Sequence, residues 1–355
     1  MRVRPLLEAI LVVVATLASG TLECGGIQPT PEQRQGAQLY GRMCAVCHGA
    51  SGEGYRADEA PALAHPAFLG SVSDGFLRNA IANGRSATTM SAWSSQRGGP
   101  LSRADIDAIV SFVRTWETLP RATLDERPVL GEASRAEPVF ARECVRCHGA
   151  RGTGGPNVHI GNPELLSSAS NGFLRYAIAG GRAGTAMPSF AASLGQEGVE
   201  DTVALLRSFQ SQAVTVTNPP PARPPPIPLG PVPLNPRGPE PAGFHPFPAT
   251  ASVDAVKAQL DRGARMALLD ARAPSDYTNE HIAGAVSVPF YDPQPYLQAL
   301  PRNAWLVAYC ACPHAESGTL AQKLQAAGFT KVTVLDEGLG VWRARKYGTH
   351  TGWDP

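Results

Sequence analysis

Two short stretches of this 355-residue chain hold residues that can do chemistry together: Cys44-Ala45-Val46-Cys47-His48 and Cys144-Val145-Arg146-Cys147-His148. In each, two thiols stand about one helical turn apart and an imidazole follows directly. Thiols so spaced can add as thioethers to the two vinyl groups of one haem, and the adjacent His then lies beneath the iron. A zinc knuckle would need a second Cys or His pair close by, and neither stretch has one. The chemistry expected is covalent attachment of two c-type haems, through Cys44 and Cys47 and through Cys144 and Cys147, with His48 and His148 as proximal iron ligands.

The surroundings of the two stretches match. Pro31-Glu32-Gln33-Arg34 reads as a helix start leading into the first, and Ala136-Glu137-Pro138-Val139-Phe140 leads into the second. A Gly-rich loop follows each, 49–54 and 149–154, where missing side chains let backbone approach a flat ligand. Then Gly75-Phe76-Leu77-Arg78 through Gly84-Arg85 parallels Gly172-Phe173-Leu174-Arg175 through Gly181-Arg182, both amphipathic helices ended by Gly. A methionine follows each at the same distance, Met90 and Met187. A lone Met is ordinarily core filler, but a Met duplicated with its helix points to a thioether on the far side of the haem, which raises the potential. His65 and His159 are rival ligands. Neither is duplicated, so both are read as surface or loop residues. Helices with apolar Ile106, Ile109, Val110 and Val113, and with Val199, Val203, Leu206 and Phe209, close the two repeats. Ser102 caps the first. Trp93 and Trp116 are read as packing residues.

On these residues the repeats resemble the class I cytochrome c family in a two-haem arrangement. The resemblance implies two all-α units, at 31–120 and 132–212. It also implies haem thioethers at Cys44, Cys47, Cys144 and Cys147, proximal His48 and His148, and distal Met90 and Met187. One departure stands out: many members have Pro after the ligand Met, as in Met187-Pro188, whereas Met90 is followed by Ser91.

Composition adds bounds. Residues 25–210 hold 17 Arg, no Lys and 17 Asp+Glu, and the whole chain carries a formal +1, so nothing calls for nucleic acid as partner. Seven Cys with separate roles do not make a disulfide framework. Arg2 and Arg4 precede an apolar run from Leu6 to Ala18, too short to span a bilayer comfortably. Residues 1–23 are read as an export signal, the alternative being an uncleaved membrane anchor. Cys24-Gly25-Gly26 resembles a bacterial lipoprotein start, although Glu23 stands where a small residue is expected. Lipidation of Cys24 is weighed against cleavage near Gly20. Each version places the body outside the cytoplasm, in the periplasm or anchored facing it.

Between Asn218 and Ala249 there are 14 prolines. Such a stretch favours extended polyproline II, and at ~3.1 Å per residue it could reach on the order of 90 Å. Residues 213–249 are therefore read as a spacer that could hold the last unit far from the haems.

From 250 to 355 the pattern turns to alternating helix and strand. Strands are expected at Met266–Leu269, Trp305–Tyr309 and Val332–Leu335, with helices at Val253–Leu260 and Leu320–Ala327, as in a parallel sheet covered by helices. Cys310 follows a strand and precedes a helix, where backbone N–H groups favour an anion or a thiolate; the alternative is a buried structural Cys. Here Asp270-Ala271-Arg272, Asp276-Tyr277, His281-Ile282-Ala283-Gly284-Ala285 and Asp336-Glu337-Gly338 with Trp342 resemble the rhodanese family. That resemblance implies an α/β fold and Cys310 as the nucleophile that accepts sulfur. The loop Cys310-Ala311-Cys312-Pro313-His314-Ala315-Glu316 is one residue longer than usual and has Glu316 where Arg is common. A carboxylate there would oppose a thiolate and an anionic donor such as thiosulfate. Cys310 could act with Cys312 as resolving thiol, could handle another small sulfur compound, or could sit in a domain that has become a binding or sensing module. A Cys310/Cys312/His314 metal site lacks further ligands.

The chain is thus expected to be multi-domain: two all-α cytochrome c units, then an α/β rhodanese-like domain with a parallel sheet. Its expected work is one-electron transfer, with redox partner proteins of a respiratory or sulfur-oxidising chain. The alternatives are a sulfur-compound oxidoreductase or sulfurtransferase, in which Cys310 carries persulfide and the haems accept electrons, and a thiol redox sensor.

Overall fold

The computed structural model describes residues 28–55, 57, 59–211, 232–311 and 314–355. The stretch read as an export signal, Cys24, the first part of the proline-rich run and Cys312 lie outside the described residues.

The first repeat is helical. Its helices are α1 (Pro31–Met43), α2 (Ala45–His48), α3 (Pro66–Leu69), α4 (Asp74–Asn83) and α5 (Arg103–Arg114). Helix α1 starts on a reciprocal cap: Thr30 accepts from the Gln33 N–H, and Gln33 reaches back to the Thr30 N–H. Ser102 and Asp105 do the same for α5. Ile106, Ile109, Val110 and Val113 of α5 are buried against α1. Each contributes about 1.5–3 kcal/mol on leaving water. The crossing is tight at Gly36, where an added Cβ would stand 2.0 Å from the Ala108 carbonyl oxygen.

The second repeat has the same plan: α6 (Ala133–Val139), α7 (Val145–His148), α8 (Pro163–Ser168), α9 (Asn171–Gly180) and α10 (Ala191–Ser211). Its first helix begins earlier than the sequence suggested, and it changes to a π turn over Phe140–Cys144, after Pro138. Pro138 lacks an N–H, so the regular ladder is already broken there. The repeats face each other. Phe76 packs on Phe173 with ring centroids 5.4 Å apart, and Asn162 Nδ2 donates to the Ser86 carbonyl at 2.9 Å.

The last unit is a parallel sheet of strand order β1-β6-β5-β2-β4. Its elements are β1 (Thr250–Ala251), α11 (Val253–Asp261), β2 (Met266–Asp270), α12 (Pro274–Asn279), β3 (His281–Ile282), β4 (Ala285–Ser287), β5 (Trp305–Tyr309), α13 (Ala315–Ala326), β6 (Val332–Leu335), α14 (Gly338–Ala344) and β7 (Thr349–His350). The central strands are buried throughout, as a sheet covered on both faces requires. Asp270 and Tyr309 end adjacent strands. The Tyr309 hydroxyl donates to Asp270 at 2.8 Å, and Arg272 grips the same carboxylate with two nitrogens.

Two expectations about the spacer need correction. Its described end, 232–249, is not a free tether: Glu240 accepts from Trp305 and from Lys331, and Phe244 packs on Trp305. Nor does the sheet unit stand far from the helical repeats. Ser275 donates to the Ala92 carbonyl at 2.7 Å, and Trp93 packs on Tyr291 with centroids 5.6 Å apart. Proline content sets local stiffness; it does not prevent side chains such as Glu240 and Phe244 from finding partners. Among the described residues no helix is long and apolar enough to cross a membrane.

Candidate functional site

Helices α2 and α7 are single turns that begin one residue after Cys44 and Cys144. They place both thiols and the His of each motif on one short turn. His48 is buried, and its Nδ1 donates to the Pro61 carbonyl at 3.0 Å. His148 Nδ1 donates to the Val158 carbonyl at 2.8 Å. A carbonyl only accepts, so the proton sits on Nδ1 and the Nε2 lone pair is left for a metal. Burial moves both imidazoles below their ordinary pKa, which keeps them neutral. Burial also pushes the Cys44 thiol up to about 12 and the Cys144 thiol to about 11.

The methionine segments are superposable in their bonding. Arg85 N donates to the Met90 carbonyl at 2.9 Å, and Met90 N to Thr88 Oγ1 at 3.1 Å. Arg182 N donates to the Met187 carbonyl at 3.0 Å, and Met187 N to Thr185 Oγ1 at 3.2 Å. Gly84 and Gly181 make this return. Both have φ of +64°, and a Cβ on Gly84 would lie 2.4 Å from the Met90 carbonyl.

Sequence reasoning assigned no role to Arg85 and Arg182, although both lie in the duplicated stretch. Each guanidinium stacks on a ring, Arg85 on Phe76 at 5.5 Å and Arg182 on Phe173 at 5.8 Å, and donates to the preceding glycine carbonyl. Burial lowers both, Arg85 to about 10. A half-buried cation stacked on a ring in each repeat suits an acidic substituent, such as the propionates of a haem. The donor set, the imidazole tautomers and the half-buried arginines therefore fit one haem per repeat. Of the rival ligands, His65 lies at the junction of the repeats, with Nε2 donating to the Ala183 carbonyl at 2.9 Å, and His159 Nε2 accepts from Gly154 N at 3.2 Å. His65 is thus not a free surface residue.

In the sheet unit, Cys310 is fully buried at the end of β5, with Sγ 3.3 Å from the Ser317 hydroxyl. His314 adopts a left-handed backbone, φ +68°, and Nε2 donates to the Asp336 carbonyl at 2.9 Å, which holds the loop against the β6 end. Glu316 is buried in the first turn of α13, and burial, then the Cys310 thiol, raise it well above the ordinary carboxyl range. Burial and the nearby Cys310 thiol thus both favour the protonated acid over the carboxylate. Cys312 is outside the described residues, and among the described residues no cluster of His, Cys, Asp and Glu suits a metal ion.

Comparison with known proteins agrees with this geometry. The model for subunit III of cbb3-type cytochrome c oxidase matches residues 31–113 and 131–206, and the model for rhodanese-like domains matches 252–345. The chain joins a cytochrome c region of that kind, a class that carries covalently bound haem, to a rhodanese-like domain. It is 29% identical over 167 residues to the cbb3-type cytochrome c oxidase subunit FixP of Bradyrhizobium diazoefficiens, a match that takes in 44% of this chain and 53% of that protein. The chain thus spans about half the length of this curated relative. Among solved structures, it is 27% identical to a rhodanese-like domain from Anabaena (30% of this chain, 80% of that one, TM-score 0.28) and 26% identical to a thiosulfate sulfurtransferase from Pseudomonas aeruginosa (30% and 21%, TM-score 0.26).

Proposed function

We propose that this is an exported di-haem c-type cytochrome that transfers single electrons, with a rhodanese-like domain tethered to it. Cys44 and Cys47 hold one haem and Cys144 and Cys147 the other, with axial His48 and Met90 on the first iron and His148 and Met187 on the second. The observation that carries this reading is the duplicated bonding: two His with Nε2 left for iron, each paired with a methionine on an identically bonded return. Thioether ligation raises the haem potential, which suits electron transfer. Partners are redox proteins of a respiratory chain, as the oxidase subunit named above suggests. The units run over 31–120, 132–212 and 250–355, and the protein acts in the periplasm, free or held by Cys24 or an uncleaved amino terminus.

A second reading has a specific observation in its favour: the rhodanese-like unit lies against the first repeat rather than at the end of a long tether. In it, Cys310 carries sulfur and the haems accept electrons from a small sulfur compound. One experiment separates the two. The exported, haem-loaded protein is oxidised, its haems are counted from their absorbance, and polysulfide, a small persulfide or thiosulfate is added beside a Cys310→Ser variant. Reduction at equal rates in both proteins supports the electron carrier. Rapid reduction that disappears in the variant supports sulfur oxidation. A haem count of one would sink the di-haem assignment.

A further inference from the structure

The residue after Met187 is Pro188, and the residue after Met90 is Ser91. The backbone that follows is the same in both repeats: Trp93 N donates to the Ile81 carbonyl at 3.1 Å, and Phe190 N to the Ile178 carbonyl at 3.2 Å. Only the side chains differ. A proline offers neither N–H nor hydroxyl. Ser91 is buried, and its hydroxyl donates to the Asp276 carboxyl at 2.5 Å. The Ala92 carbonyl takes the Ser275 hydroxyl, and Trp93 takes the Tyr291 ring. Three consecutive residues behind Met90 each hold one group of the rhodanese-like unit. In the second repeat Ser189, which aligns with Ala92, donates within its own unit, to the Ala179 carbonyl at 2.6 Å.

The His side of the first motif meets the same unit. The turn Ala45–His48 lies against α13, the helix that follows Cys310, and Arg42 faces Asp292 at 3.8 Å. Both segments that would flank the first haem therefore touch the unit that carries Cys310, one on α12 and the other on α13.

We propose that Ser91-Ala92-Trp93 is a built docking face by which the first cytochrome unit holds the rhodanese-like unit beside its own haem. The first haem then responds to changes across this seam. This rests on the two-haem reading above. It also explains the departure at Ser91: a proline there would delete the hydroxyl that reaches Asp276.

The test uses the full haem-loaded chain with a protease site placed within 212–231. After cleavage, the rhodanese-like fragment should comigrate with the haem fragment on a sizing column. Ser91→Pro and Asp276→Arg should each weaken this association about tenfold or more, or ~1.4 kcal/mol; Pro188→Ser should leave it unchanged. Wild-type fragments that separate would overturn the proposal. In the uncleaved chain, Asp276→Asn, on the far side of the seam from the haem, should shift the midpoint potential of the haem that Met90→Ala alters. A shift in the other haem, or in neither, would also overturn it. Failure of the two-haem reading would show separately as lost haem absorbance, because comigration is read on the polypeptides.

Discussion

His48 and His148 each commit one ring nitrogen to a carbonyl, so the other is fixed in tautomer and in direction before any metal arrives. Met90 and Met187 are held less directly, by backbone bonds to the arginine that follows the glycine cap of the preceding helix. Replacing either methionine with alanine should lower one of two midpoint potentials by on the order of 0.1 V, within the roughly 0.8 V span that axial ligands command. A redox titration in which both potentials stay put would remove the thioethers from the iron. Glu316 offers a pH test. Its folded pKa is raised by burial, so the folded chain keeps a proton that the unfolded chain releases above about pH 4.3. Stability is full below that value and declines as pH rises toward the folded value. Glu316→Gln cannot ionise and should flatten the decline above about pH 4.3. Superimposable thermal profiles for the two proteins would place the carboxyl in water.

At the scale of the helix, equivalent sequence positions end in different environments. Arg78 and Arg175 occupy the same place in the duplicated helix. Arg78 is part-exposed and faces Asp107. Arg175 is buried, binds Glu200 with two nitrogens and takes the carbonyls of Asp125, Arg127 and Pro128. Arg175→Ala should cost about 3 kcal/mol, since it leaves Glu200 and three carbonyls without their donor. Arg78→Ala should cost under about 1 kcal/mol. Equal losses in thermal unfolding would refute this difference. Gly36 is a second case. Alanine is the better helix former by about 1 kcal/mol, yet its Cβ would meet the Ala108 carbonyl at 2.0 Å. Gly36→Ala should therefore destabilise the protein by about 1–2 kcal/mol, because two helices must separate. A gain in stability would mean that the crossing is loose.

At the scale of the molecule, a continuous apolar core runs from both helical repeats into the rhodanese-like unit. The rhodanese-like unit and the first repeat should then unfold in one calorimetric transition. Trp93→Ala, which removes a buried ring from the seam, should divide it at a cost of about 3–5 kcal/mol. Two transitions in the wild type would show that the seam adds little. What the amino-acid order determined by itself is local: the two Cys-x-x-Cys-His turns, the duplicated helix with its following Met, the capped helix starts, and the strands at 305–309 and 332–335. These depend on near neighbours and on periodicity, which a linear reading contains. It missed the short strands at 250–251, 281–282 and 285–287, whose existence depends on pairing with distant residues. It also missed the partners of Arg85 and Ser91 and the depth at which Glu316 is buried. A guanidinium on a ring, a serine that reaches across 185 residues to Asp276, and a carboxyl whose pKa burial raises are properties of surroundings. Only the tertiary structure brings those surroundings together, because burial and long-range hydrogen bonds are set by which surfaces meet and not by which residues adjoin.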